Sequence, residues 1–259
     1  MHASFASRLL CLHLLIVVLQ NKIAVRNVIS TALPIALGCL FEYGEWEILT
    51  IFAARLGTAE VAAWGIVGTL WDTVETLSKG IGDGGEVRCA YHLGNANPGL
   101  ARTSAHKAVL LSVCVAFFTT SIIFIAGENI AVLFTSDPTL QHMIAELIPL
   151  LGVGNIFLTA GCVSWALVGA QARYRLATFV AFVSSWCVTM PLAAIFTYGF
   201  NLNLQGITSA VVIGYSVTCT ALCYILLRSD WARISQHVVE TNDDSDDESS
   251  VDSAEEISA

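Results

Sequence analysis

Three glutamates crowd six residues of an otherwise apolar stretch, Glu42-Tyr-Gly-Glu45-Trp-Glu47. On a helix advancing about 100° per residue, Glu42 and Glu45 share a face, while Glu47 points about 140° away from Glu42. Two neighbouring carboxyls withdrawn from water disfavour their own charged forms, so such a pair could hold a proton at neutral pH and give it up to an arriving cation. A second run, Asp72, Glu75, Lys79, Asp83 and Glu86, is spaced 3, 4, 4 and 3. On a helix those five residues fall within an arc of about 80°, one polar stripe that must face protein or water. Glu75 and Lys79, at i,i+4, can neutralise each other as a structural pair, which leaves Asp72 nearest the middle of the stretch. The candidate cation- and substrate-binding residues are therefore Glu42, Glu45, Glu47, Asp72 and Glu75. The plainer alternative for each is a hydrogen bond to a neighbouring helix or a position at an interface.

No catalytic set accompanies them, so the chain does not read as an enzyme. Gly80-Ile-Gly-Asp-Gly-Gly85 lacks the preceding strand of a phosphate-binding loop and ends an apolar helix instead. Eight cysteines are present, six of them inside apolar stretches, where they act as small packing residues without metal. No cofactor is implied.

The elements that must carry these acids follow from composition. The 259 residues are 55% hydrophobic and only 13% charged, with a mean hydropathy of +0.69. Soluble domains average about 25% charged, so the composition excludes an ordinary soluble enzyme and specifies an all-α integral membrane protein. About 20 apolar residues cross a ~30 Å hydrocarbon core, and six stretches qualify: residues 30–54, 61–84, 106–126, 144–169, 176–198 and 205–227. Turn-forming breaks separate them, including a polar run from Glu86 to Thr103 and the stretch from Glu128 to Pro138. Inside the spans, Asn155 and Pro191 suggest hydrogen-bonded or broken helices around a cavity, and Pro149 a bend after Glu146.

Lys22, Arg26, Arg88, Arg102, Lys107, Arg173, Arg175, Arg228 and Arg233 flank these spans on one side of the membrane, against Arg55 alone on the other. Cytoplasmic loops are enriched in Lys and Arg, so both termini are expected in the cytosol. Residues 9–19 are apolar over only half a span, a partial hydrophobic segment within an N-terminal flank of residues 1–27. The six-helix body takes residues 28–232.

An acidic tail completes the chain over residues 233–259. From Glu240 onward it holds nine acidic residues and no base, so the whole net charge of −9 resides there. Without aromatic residues that tail cannot bury enough surface to offset its ordering entropy, and it is expected to be disordered. Ser245, Ser249 and Ser253 each precede an acid by three residues, a pattern suited to an acid-directed kinase.

The segment Leu56-Gly-Thr-Ala-Glu60-Val-Ala-Ala63-Trp-Gly65 and, one span later, Leu93-Gly-Asn-Ala-Asn97-Pro98-Gly-Leu-Ala101-Arg102 resemble the repeated signature of the multidrug and toxic compound extrusion (MATE) family. Leu133-Phe-Thr-Ser-Asp137 and Thr189-Met-Pro191-Leu extend the likeness over about residues 32–232. The resemblance implies a secondary active antiporter that exports organic cations and xenobiotics in exchange for H⁺ or Na⁺ across a plasma or organelle membrane. In the family, glutamates on the first helix of the second lobe take part, and Glu42, Glu45 and Glu47 stand in that place. The family has twelve spans in two lobes; six here correspond to one lobe, the C-terminal one. Such a half would work with a second six-helix lobe or as a homodimer. Its expected partners are small cationic organic substrates and the lipid bilayer, not nucleic acid. The alternative is a non-transporting membrane scaffold that presents the acidic tail to a partner.

Overall fold

The computed structural model describes residues 22–127 and 129–240. Each expected span lies inside one long helix: α1 Lys22–Leu56, α2 Thr58–Gly94, α3 Pro98–Ala126, α5 Pro138–Ala170, α6 Tyr174–Gly199 and α7 Asn203–Arg228. A short α4, Asn129–Phe134, bridges α3 and α5, and a final helix, α8, covers residues 231–240. Among the described residues there is no strand. α3, α5, α6 and α7 are long and apolar enough to cross a bilayer by themselves. The other two of the six long helices, α1 and α2, carry Glu42, Glu45, Glu47, Asp72 and Glu75.

Local chemistry sets several boundaries. Asp137 caps α5 by accepting a 2.8 Å hydrogen bond from the Thr139 amide, with Pro138 at the first helical position, where its missing N–H costs nothing. Pro98 opens α3 in the same way. The polar run expected as a turn over Glu86–Thr103 is mostly helical: α2 continues to Gly94, leaving only residues 95–97 as the turn. Polar outer residues did not end the helix because Cys89 and Leu93 on its inner face bury against Ala101 and Ala105 of α3.

The tail boundary shifts similarly. Residues 233–240, expected in the acidic tail, belong to α8, whose Trp231 is buried and whose Ser235 hydroxyl donates to Leu93 O at 2.9 Å. Residues 1–21, with the partial hydrophobic segment, and residues 241–259, with the bulk of the acidic tail, lie outside the described residues.

Helix α5 is the axis of the bundle and packs most extensively on α2 and α7. Lipid tails are as apolar as leucine, so close backbone approach and interhelical hydrogen bonds hold such helices together. Small residues supply the approach: a Cβ on Gly152 would lie 2.6 Å from the Phe124 ring, and one on Gly85 would lie 2.9 Å from Ala108 Cβ. Gly82 and Gly85 of the glycine-rich run thus serve helix contacts within an unbroken α2.

Burial divides into two apolar cores. One, at the end where α1 meets α2, gathers Leu49, Trp64, Val67, Leu147 and Ile207. The other, at the opposite end, gathers Cys89, Leu93, Leu167, Leu222 and Trp231. Between them lies a polar waist. Fully buried Asn155 extends its Nδ2 to Thr119 Oγ1 and Thr120 Oγ1, both at 2.8 Å, and its Oδ1 accepts from Thr159. Ser78 of α2 donates to Thr159 at 3.0 Å, so one network ties α2, α3 and α5 at mid-height. This is the hydrogen-bonded helix that Asn155 suggested.

Pro191 does not break α6. The helix instead widens on both sides of it, over Ser184–Thr189 and Ile195–Gly199, into turns closed by i→i+5 bonds. A proline lacks the N–H to continue the ladder and its ring crowds the carbonyl one turn back, and a wider turn relieves both. Helix α5 likewise stays continuous through Pro149.

Candidate functional site

The waist also holds the carboxylates. Glu45 of α1 is buried, 7% exposed, and accepts a hydrogen bond from the Ser185 hydroxyl of α6, with Thr189 of the same helix beside it. Ser185 and Thr189 both sit on the first wide turn of that helix. The Thr189 hydroxyl donates back to Ser184 O, and the Ser184 hydroxyl donates to Gly214 O of α7 at 2.7 Å. The carboxylate is therefore fastened to a distorted segment that is itself tied to α7.

Glu42, one turn before Glu45, is exposed on the described chain yet lies in the field of Glu75, Lys79, Glu45 and Asp72. The Glu75–Lys79 pair forms as its spacing predicts, with Nζ 2.9 Å from Oε1. Tyr215 of α7 lies in the field of Glu42, Glu45, Asp72 and Glu75. The structure thus brings together Glu42, Glu45, Asp72 and Glu75, four of the five expected residues. Glu47 points away from them and is exposed, as its 140° offset from Glu42 requires.

Aromatic rings line one flank. Trp46 stacks on Trp64 at 4.9 Å and meets Trp71 edge-on at 5.7 Å, and Trp71 meets Tyr215 at 5.8 Å. Trp64 donates to Thr50. The indole N–H groups of Trp71 and of Trp186, the latter beside Gly44, are buried and find no acceptor. Sequence reasoning missed Ser185, Thr189, Tyr215 and these tryptophans. The available signal was Ser184-Ser185 placed within two turns of Pro191 in an apolar span.

Two further acids, Glu86 and Glu146, have structural partners. Glu86 accepts from the Tyr174 hydroxyl, joining α2 to the start of α6. Glu146 accepts from Gln205 at 3.1 Å and lies 3.4 Å from His142, in a cleft of about 260 Å³ that Glu60 and Asn201 also line. At the end with the basic residues, burial pushes the Cys89 thiol up to about 12.

Fold and site together define a multi-pass helical membrane protein with a carboxylate cluster at mid-height. The MatE family model matches residues 34–195, and the chain belongs to that family. Multidrug and toxin extrusion protein 1 of Homo sapiens is 22% identical over 210 residues, covering 79% of this chain and 36% of that protein. Protein DETOXIFICATION 53 of Arabidopsis thaliana is 27% identical over 217 residues, covering 79% of this chain and 42% of its own length. The crystal structure of the eukaryotic MATE transporter AtDTX14 superposes with a TM-score of 0.79 at 19% identity, over 83% of this chain and 48% of that one. The chain thus spans well under half the length of these curated relatives.

Proposed function

We propose that this chain is a lobe of a secondary antiporter that exchanges organic cations for H⁺ or Na⁺ at the Glu42–Glu45–Asp72–Glu75 cluster. The observation that carries the proposal is Glu45, a buried carboxylate held by the Ser185 hydroxyl on a distorted turn of α6 and flanked by Glu42. A site that cannot hold a proton and an organic cation together couples their opposed movements. Trp46, Trp71 and Tyr215 add ring faces that attract cations. Lys79, paired with Glu75, limits the positive charge that the cluster accepts.

Glu45 also links occupancy to shape. As a carboxylate it accepts from Ser185 through Oε2; once protonated on that oxygen it becomes a donor there, and the Ser185 hydroxyl has to turn its own proton away. That rearrangement falls on the wide turn of α6, a kind of irregularity that recurs at functional sites in helices. Rocking of this lobe against a second lobe then alternates access. The basic flanks support a cytosolic position for both termini.

Efflux of tetraethylammonium from proteoliposomes under an imposed pH or Na⁺ gradient tests the reading. Gradient-driven movement that is lost in Glu42→Gln/Glu45→Gln supports it. Undiminished movement in that variant removes the cluster from the mechanism, and a complex that depends on residues 240–259 without any efflux would favour the scaffold alternative.

A further inference from the structure

None of the clustered acids lines a groove of about 760 Å³ that runs between α1 and α6. Its α1 wall recurs at helical spacing, with Ile29, Leu33, Leu37 and Phe41 on one stripe. Phe179 and Phe182 form the α6 wall. The deep end is shut by Phe41 against Phe182, ring centroids 4.6 Å apart. Close contact of Gly38 with Thr178, whose hydroxyl is already given to Pro34 O, closes the floor. At the other end stand Arg26 and Arg175, both exposed, and neither forms an ion pair among the described residues. Arg175 is the second residue of α6, a helix start with no side-chain cap, so the peptide dipoles there add positive potential.

We infer that this groove binds one anionic phospholipid, with its phosphate at Arg26 and Arg175 and an acyl chain laid along α1 to Phe41. Dimensions fit. The groove runs along 17 residues of α1, from Val25 to Phe41, about 24 Å from end to end at a rise of about 1.5 Å per step. Half of a bilayer measures about 20–22 Å with its headgroups. Two guanidiniums repel the organic cations proposed for the waist, which excludes a second cation site. They also disfavour a second helical lobe as occupant, because covering both with apolar helix would strip their water without a counter-charge. A basic pocket between helices at one membrane surface satisfies a lipid phosphate instead. A free phosphate would leave the apolar stripe uncovered.

The full chain, purified in a zwitterionic detergent and examined by native mass spectrometry, should retain one phosphatidylglycerol in preference to phosphatidylcholine. Arg26→Gln/Arg175→Gln should weaken that retention about 10- to 30-fold, without changing the thermal midpoint of the lipid-free protein. Leu33→Trp, which fills the groove and keeps both arginines, should abolish it, and glycerol phosphate, the headgroup without tails, should not bind. Equal retention of the two lipids, unchanged retention by the double arginine variant, or glycerol phosphate binding as strongly as the lipid would each overturn the inference. So would a dimer that excludes lipid from the groove.

Discussion

Replacing Asn155 by alanine tests the polar waist at its centre. The substitution deletes two 2.8 Å hydrogen bonds to α3, at Thr119 Oγ1 and Thr120 Oγ1, and the acceptor for Thr159. Interhelical hydrogen bonds in membrane proteins average about 0.6 kcal/mol each, so the two donations are worth about 1.2 kcal/mol. Thr119 and Thr120 keep their own donations, to Val115 O at 2.9 Å and to Gly152 O at 3.1 Å, so neither hydroxyl is orphaned and no further desolvation cost arises there. The Thr159 hydroxyl, buried and left without its acceptor, costs about 1 kcal/mol more, and the void left in a site with no exposure adds about 0.5–1 kcal/mol. The sum, about 3 kcal/mol, corresponds to a fall in thermal midpoint of about 6–12 °C for a chain of this size. Thermal unfolding of purified protein in nanodiscs, followed by far-ultraviolet circular dichroism, measures it. Ser78→Ala, at the edge of the same network, should lose less than half as much. An Asn155→Ala midpoint within 1 °C of wild type would refute the reasoning, because the network would then contribute nothing.

Other outcomes follow from the same geometry. Gly85→Val should cost about 1–3 kcal/mol by overpacking against Ala108, read as a lowered unfolding midpoint. Tyr174→Phe removes the hydrogen bond to Glu86 and should cost about 1–2 kcal/mol in the same measurement. Lys79→Gln should cost less than about 1 kcal/mol, since the Lys79 side chain is 56% exposed, yet it should tighten tetraethylammonium binding by removing a resident positive charge. Cys89, its thiol raised to about 12 by burial, should resist maleimide at pH 7–8 until the protein is unfolded. The folded state keeps this proton above the ordinary thiol range while the unfolded chain releases it, so Cys89 makes stability fall as pH rises above about 9.

What sequence made legible and what it hid have a common physical origin. Glu75 and Lys79 were readable as a pair because i,i+4 neighbours meet on any helix, whatever surrounds it. The separation of Glu47 from Glu42 followed from the same period. Asn155 was readable as a bonded residue, but its partners on α2 and α3 were not, because they depend on the register of three packed helices. Ser185 and Thr189 were the hardest to find. The wide turn before Pro191 breaks the 3.6-residue phase, so a regular helical projection of α6 aims them wrongly. Boundaries failed where inner apolar faces outlasted polar outer ones, as at Cys89 and Leu93 of α2 and at Trp231 of α8.

Competition between a proton and an organic cation at the carboxylate cluster is the central claim, and titration of the purified chain with tetraethylammonium in weakly buffered solution tests it without requiring transport. Binding should release protons, weaken as the pH is lowered, and lose its pH dependence in Glu45→Gln. Binding with no proton release, and with the same affinity and pH profile in wild type and Glu45→Gln, would contradict the account.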